Sequence, residues 1–208
     1  MRINVGEVLE VKGELDLSNG SILLKDEAVE RAALEQEDIE VPLPLEDLRV
    51  HDALSSRIPV AAAADDLGLI QGTFATGAPK VQSSDSKAAS TTQYARVRFA
   101  LPAEYVTGTN IYVLVTAGTS TVADTSSTID AQVYKDDEVG GISADLCATA
   151  AQSINAAVAE KTFTVTGTAL TPGGVLDLRL TVAIVDAATG TAVVASITRA
   201  AVKMTVQG

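Results

Sequence analysis

At 208 residues the chain is long enough to bury a sizeable core, either in one domain with an appendage or in two small domains. Its single cysteine, Cys147, excludes an intramolecular disulfide framework and a cysteine-rich zinc site, since both need several thiolates. The net charge of -12 is unevenly placed, with 16 acidic and 6 basic residues in 1–66 against 11 and 9 in 67–208, so phosphate backbones and anionic membranes are excluded as partners of the first third.

The chain opens with MRINVGEVLEVKGELD, in which charges interrupt every apolar run, and no window reaches the roughly 18 apolar residues of a membrane span. Synthesis in a cytoplasm and no membrane partner are expected. VGEVLEVKGELDL suits one or two short strands. KDEAVERAALEQED, residues 25–38, has the acidic first turn of a helix of about three turns. In VPLPLEDL, residues 41–48, Pro42 and Pro44 disfavour helix and sheet interior and predict an extended, polyproline-like path.

Around those prolines Val41, Leu43, Leu45, Leu48, Val50, Leu54 and Ile58 have no local means of burial, which is the pattern of an arm ordered along a partner. A basic protein surface suits the acidity of such an arm. Residues 1–66 therefore read as an acidic N-terminal arm with short strands and one helix, and 67–208 as a β-sandwich domain. On this reading, removal of residues 1–60 leaves a folded sandwich with weakened partner binding.

Within SRIPVAAAADDLGLIQGTF, residues 69–74 read as a strand that joins the sandwich, and TGAPKVQSSDSKAASTT, residues 76–92, as a polar connection. YARVRFA (94–100) then alternates Tyr94, Arg96 and Arg98 against Ala95, Val97 and Phe99, the period of a half-buried strand. IYVLVTA (111–117) is continuously apolar and suits a central strand. TIDAQVYK (128–135) sets Ile129, Ala131 and Val133 against Asp130, Gln132 and Tyr134. SADLCATAAQSINAAVAE (143–160) fits either a helix or a loop with a strand. TFTVTG (162–167), VLDLRLTVAIV (175–185), AVVASI (192–197) and AAVKMTVQ (200–207) complete the set, with turn chemistry in TPGG and DAATG. About seven antiparallel strands at this spacing predict a mainly β sandwich, jelly-roll-like, carrying an extended N-terminal arm with a short helix.

Candidate chemistry is sparse. His51 is the only histidine, lies in the acidic segment, and is not accompanied by a Gly-x-Ser-x-Gly elbow. Asp65 with Asp66, and Asp136, Asp137 and Glu138 in YKDDEVGG, are carboxylate clusters. The second could offer oxygens to calcium, although its spacing is not that of an EF-hand and adjacent acids after a strand are ordinarily solvated. No tryptophan and few aromatics argue against glycosidase subsites and against a carbohydrate-binding module. Arg96 and Arg98 lack the interleaved aromatics of a nucleic-acid site, and no glycine-rich phosphate loop occurs. No catalytic residue, cofactor or metal is assigned, and the chain reads as a non-enzyme.

LPAEYVTGTNIYVLVTAG (101–118), TFTVTGTALTPGGVLDLRLTVAIVD (162–186) and AAAADDLGLIQGTF (61–74) together resemble the jelly-roll head proteins of tailed bacteriophages, in particular capsid decoration or cement proteins. The resemblance covers residues 56–208. It implies a virion protein on the capsid surface, synthesised in the host cytoplasm, that binds and stabilises a major capsid protein lattice as a homo-oligomer, with a trimer favoured. A tail, fibre or baseplate component is the first alternative reading. A glycan-binding sandwich module, testable at Tyr112 and Tyr134, is the second.

Overall fold

The computed structural model describes residues 36–137, 139–188 and 190–207. Five short strands come first: β1 (Gln36–Pro42), β2 (Arg49–Val50), β3 (Ala53–Arg57), β4 (Gly68–Ile70) and β5 (Lys80–Gln82). Longer strands follow as β6 (Ala89–Ala100), β7 (Ile111–Thr119) and β8 (Ser126–Lys135), then the two-residue β9 (Gln152–Ser153) and β10 (Ala159–Val165). β11 (Val175–Asp186) and β12 (Ala195–Gln207) close the chain.

These strands build two antiparallel six-stranded sheets. Sheet A runs β10-β7-β12-β5-β4, with β1 also paired to β12; sheet B runs β3-β2-β6-β11-β8-β9. From β6 onward the chain passes repeatedly from one sheet to the other, as in jelly-roll sandwiches. The apolar core lies between the sheets because alternation points Ala95 and Val97 of β6, Ile129, Ala131 and Val133 of β8, and Leu176 to Ile184 of β11 inward against Ile111, Val113, Val115 and Phe163 of sheet A.

The central-strand expectation for residues 111–117 is met. β7 lies between β10 and β12, and even its outward Leu114 is buried. The predicted strands at 192–197 and 200–207 are one strand, β12, whose register slips between Ile197 and Arg199, so a bulge and not a turn interrupts the pattern. The Ala-rich segment 143–160 takes the loop-and-strand alternative: β9 pairs with β8, and Cys147 bridges to Val165. The strand expected at 69–74 is shortened to Gly68–Ile70, and the connection 76–92 contains β5 and the start of β6. The unit around LPAEYVTG is scaffold: Tyr105 is buried, its hydroxyl donates to the Thr109 carbonyl, and the backbone N–H of Val106 reaches Thr205 O on β12 at 3.0 Å.

The N-terminal expectations need correction. The compact unit begins at Gln36, not at residue 67. The strands expected before residue 18 and most of the helix expected over 25–38 lie outside the described residues, while residues 36–38 belong to β1. β1 is an edge strand aligned along β12 from Gln36 opposite Gln207 to Pro42 opposite Ala201, where the missing N–H of proline is tolerated. Pro44 begins a 3-10 turn, Leu45–Asp47, in place of a continuous polyproline path. Of the seven residues assigned to a partner-binding arm, Leu43, Leu45, Leu48 and Ile58 are buried in the sandwich's own core, Val50 and Leu54 are half-buried, and Val41 is exposed. The means of burial that local sequence lacks is supplied by β6 and β12, distant in the chain.

Part of the N-terminal acidity is likewise matched internally. Lys203 Nζ lies 2.9 Å from Asp38 Oδ2, and Arg199 pairs with both Glu40 and Glu160. The Lys203 hydrogen bond holds the Asp38 carboxyl below its usual range, and Asp38 in turn raises Lys203.

Candidate functional site

The outer face of sheet B carries an array of polar side chains assembled by strand register. Alternation that buries Ala95 and Val97 turns Tyr94, Arg96 and Arg98 outward; the neighbouring strands turn out Asp177, Arg179 and Thr181 from β11, and Asp130, Gln132 and Tyr134 from β8. Arg179 stands directly opposite Arg96 on one side and Gln132 on the other. Two like charges so placed repel unless each is engaged.

Each is engaged. Arg96 grips Asp177 with two bonds, Nε donating to Oδ1 at 2.6 Å and Nη2 to Oδ2, and Nη1 donates to the His51 carbonyl at 3.3 Å. The Asp177 contact raises the Arg96 pKa further above its already high value. Arg179 donates from Nε to Gln132 Oε1 at 2.9 Å, and its guanidinium carbon sits 5.1 Å from the Tyr94 ring centre, within cation–π range. His51, Arg96, Tyr134, Ile142, Asp177 and Arg179 line an open cleft of about 350 Å³ on this face. Asp130, beside it, has its carboxyl pKa raised by burial.

His51 forms the cleft's rim, and a short turn brings acids to it. Ala63 and Asp66 exchange backbone hydrogen bonds of 3.1 and 2.9 Å, with Ala64 between them in the left-handed region at φ 51°. The turn is fastened to β6: Tyr94 N donates to Asp65 O at 2.8 Å, and Leu67 N to Tyr94 O at 2.9 Å. Beneath it the fully buried Gln93 donates its amide N–H groups to Ala64 O and Asp66 O, at 3.0 and 3.1 Å, and accepts from Ser84 N at 2.6 Å. Both amide N–H groups of Gln93 thus fix the turn, while its oxygen ties in the segment after β5. The result places Asp66 Oδ1 3.5 Å from His51 Nδ1 and Asp65 Oδ2 3.6 Å from His51 Nε2, with the imidazole centred 4.5 Å from the Tyr94 ring and tilted 40° to it.

His51 thus contacts carboxylates and an aromatic ring, and among the described residues no hydroxyl or thiol nucleophile bonds to it. Cys147 is half-buried, and burial pushes its thiol pKa up, away from the thiolate needed for nucleophilic chemistry. In YKDDEVGG, Asp136 pairs with Arg98, and Asp137 Oδ1 accepts from Val139 N and Gly141 N at 3.0 and 2.6 Å. Those two acids are spent on an ion pair and a turn; Glu138 lies outside the described residues. Of the two tyrosines singled out for glycan contact, Tyr134 lines the sheet B cleft, whereas Tyr112 faces outward from sheet A.

Sequence reasoning placed Tyr94, Arg96, Arg98 and Tyr134 on outward strand faces, but missed Asp177, Arg179 and Gln132 as their partners. It also separated His51 from Asp65 and Asp66. The only local signal for the first group was the polar interruption of VLDLRL at Asp177 and Arg179.

No family model matches the chain, and no curated protein matches it. Among solved structures it is similar to the CBM36-1 domain of a multidomain xylanase from the hindgut metagenome of Trinervitermes trinervoides, at 14% identity and a TM-score of 0.38 over 81% of this chain and 96% of that one. It is also similar to TmCBM61 in complex with β-1,4-galactotriose, at 9% identity and a TM-score of 0.35 over 64% of this chain and 74% of that one. A family 30 carbohydrate-binding module of a Clostridium thermocellum cellulosomal cellulase overlaps 68% of this chain and 83% of its own at 10% identity, with a TM-score of 0.33.

Proposed function

We propose that the chain is a glycan-binding β-sandwich module whose ligand lies across the outer face of sheet B. The observation that carries this reading is the open cleft lined by His51, Arg96, Tyr134, Asp177 and Arg179. Sugar rings offer apolar C–H faces and paired hydroxyls. A tyrosine ring suits the first, and a guanidinium beside a carboxylate suits the second, donating to one hydroxyl and accepting from its neighbour. The Arg96–Asp177 and Arg179–Gln132 pairs hold these groups in place before a ligand arrives, which lowers the ordering cost of binding. The low aromatic content counted against this reading in the sequence; the fold answers it with a single ring, Tyr134, placed in the cleft.

The test is titration calorimetry of the full chain against a panel of neutral and acidic oligosaccharides, with Tyr134→Ala and Arg179→Ala as probes. Saturable binding that weakens at least tenfold in both variants, with melting temperatures kept near the parent's, supports the cleft. No glycan binding, accompanied by saturable binding to phage heads or tails, would return the chain to the virion reading suggested by its strand rhythm, with a capsid lattice as partner.

A further inference from the structure

A second site goes beyond glycan contact and concerns the rim of the cleft. We propose that His51, Asp65 and Asp66 form a site for a divalent cation of borderline softness, with zinc as the representative ion. One ring nitrogen and one oxygen from each carboxylate all lie within 4.8 Å of one another. Donors around a tetrahedral zinc ion stand about 3.4 Å apart for bonds of about 2.1 Å. Asp66 stands 3.5 Å from Nδ1 and Asp65 3.6 Å from Nε2, so at either ring nitrogen one carboxylate is already near that figure, and the three-residue donor set stays within 4.8 Å.

Charge points the same way. Among the described residues the only ion-pair partner of Asp65 and Asp66 is His51. The nearby guanidinium of Arg96 is committed to Asp177 and to the His51 backbone. Two adjacent carboxylates bring two formal negative charges to one point, which one divalent ion balances. The donor set, one imidazole nitrogen and two carboxylate oxygens, suits zinc and related first-row ions, whereas calcium calls for six or more oxygens.

The surroundings are those of a preformed site. The acids sit on a turn locked by Gln93 and β6 through backbone atoms alone, so their carboxylates remain available. Arg96 holds the His51 backbone and Tyr94 backs its ring, fixing the ligand's orientation as outer-shell partners do. Asp65 is 56% exposed, which gives the ion an entry path and leaves a coordination position to water.

Because His51 is the sole histidine, its ring gives a single set of imidazole resonances, and zinc titration of the chelator-treated full chain can be followed there by NMR. The expected result is a shift of that signal that saturates at one equivalent. Asp65→Asn and Asp66→Asn each weaken it at least tenfold, and calcium leaves it unmoved. Asp65→Asn keeps the backbone bond to Tyr94 and so retains the fold, which a melting curve checks. An imidazole signal that ignores a tenfold excess of zinc, or that shifts equally in the double Asn variant, overturns the site. A calcium shift matching that of zinc overturns the choice of ion.

Discussion

Leu48→Ala is the sharpest probe of the finding that residues 36–66 belong to the sandwich. Leu48 is 1% exposed and sits in the common core, and its carbonyl accepts from Ile58 N at 3.4 Å. Truncating a leucine so enclosed forfeits its transfer free energy and leaves a cavity, together about 3 kcal/mol within a range of roughly 2–5. In a domain of this size each kcal/mol moves the melting temperature by about 2–4 °C, so a fall of about 6–12 °C is expected. Leu54→Ala, at a half-buried position on the same segment, serves as the control and costs about 1 kcal/mol or less. Urea unfolding with the m-value held constant gives the free energies directly. A Leu48→Ala loss below about 1 kcal/mol would refute the reasoning and restore the picture of a separable arm. Removal of residues 1–60 is the coarser version. It strips β1, β2, β3 and four core side chains, so the product is expected to lose cooperative unfolding and not merely partner affinity.

Other outcomes follow from single positions. Gln93→Leu leaves Ser84 N and the Ala64 carbonyl without their partner and takes one of two donors from the Asp66 carbonyl, and is expected to cost about 2–4 kcal/mol by chemical denaturation. An unchanged midpoint would show that water replaces the amide. Gly118→Ala drives a Cβ to 2.6 Å from the Val158 backbone, and Gly167→Ala to 1.8 Å from Thr109 O; both are expected to lower the melting temperature, Gly167→Ala by more, whereas Gly190→Ala, with open space around it, does not. Asp130 has a folded-state pKa raised by burial above the ordinary 3.8 or so, meaning that ionisation disfavours the fold. Its penalty is absent below pH of about 3.8, grows as pH rises through the raised value, and is complete at neutrality. Asp130→Asn is therefore expected to stabilise the protein at pH 7 and to lose that advantage at pH 3, as read by melting curves across the range.

Local alternation was enough to specify the long strands. Period-two patterns in YARVRFA and TIDAQVYK depend only on adjacent side chains leaving opposite faces, and the continuous apolar run of β7 marks a strand covered on both sides. The sequence by itself therefore determined a mainly β sandwich and the outward direction of Tyr94, Arg96, Arg98 and Tyr134. Tertiary structure alone decided what those residues meet. Arg96 finds Asp177 at 81 positions' remove, and His51 finds Asp65 and Asp66 only because a turn is fastened to β6. It also decided the fate of Leu43, Leu45, Leu48 and Ile58, which look unprotected within their own segment because the surface that covers them is made by strands far along the chain. Periodicity reports which side of a strand a residue takes; burial and contact depend on register between strands, which only chain closure sets.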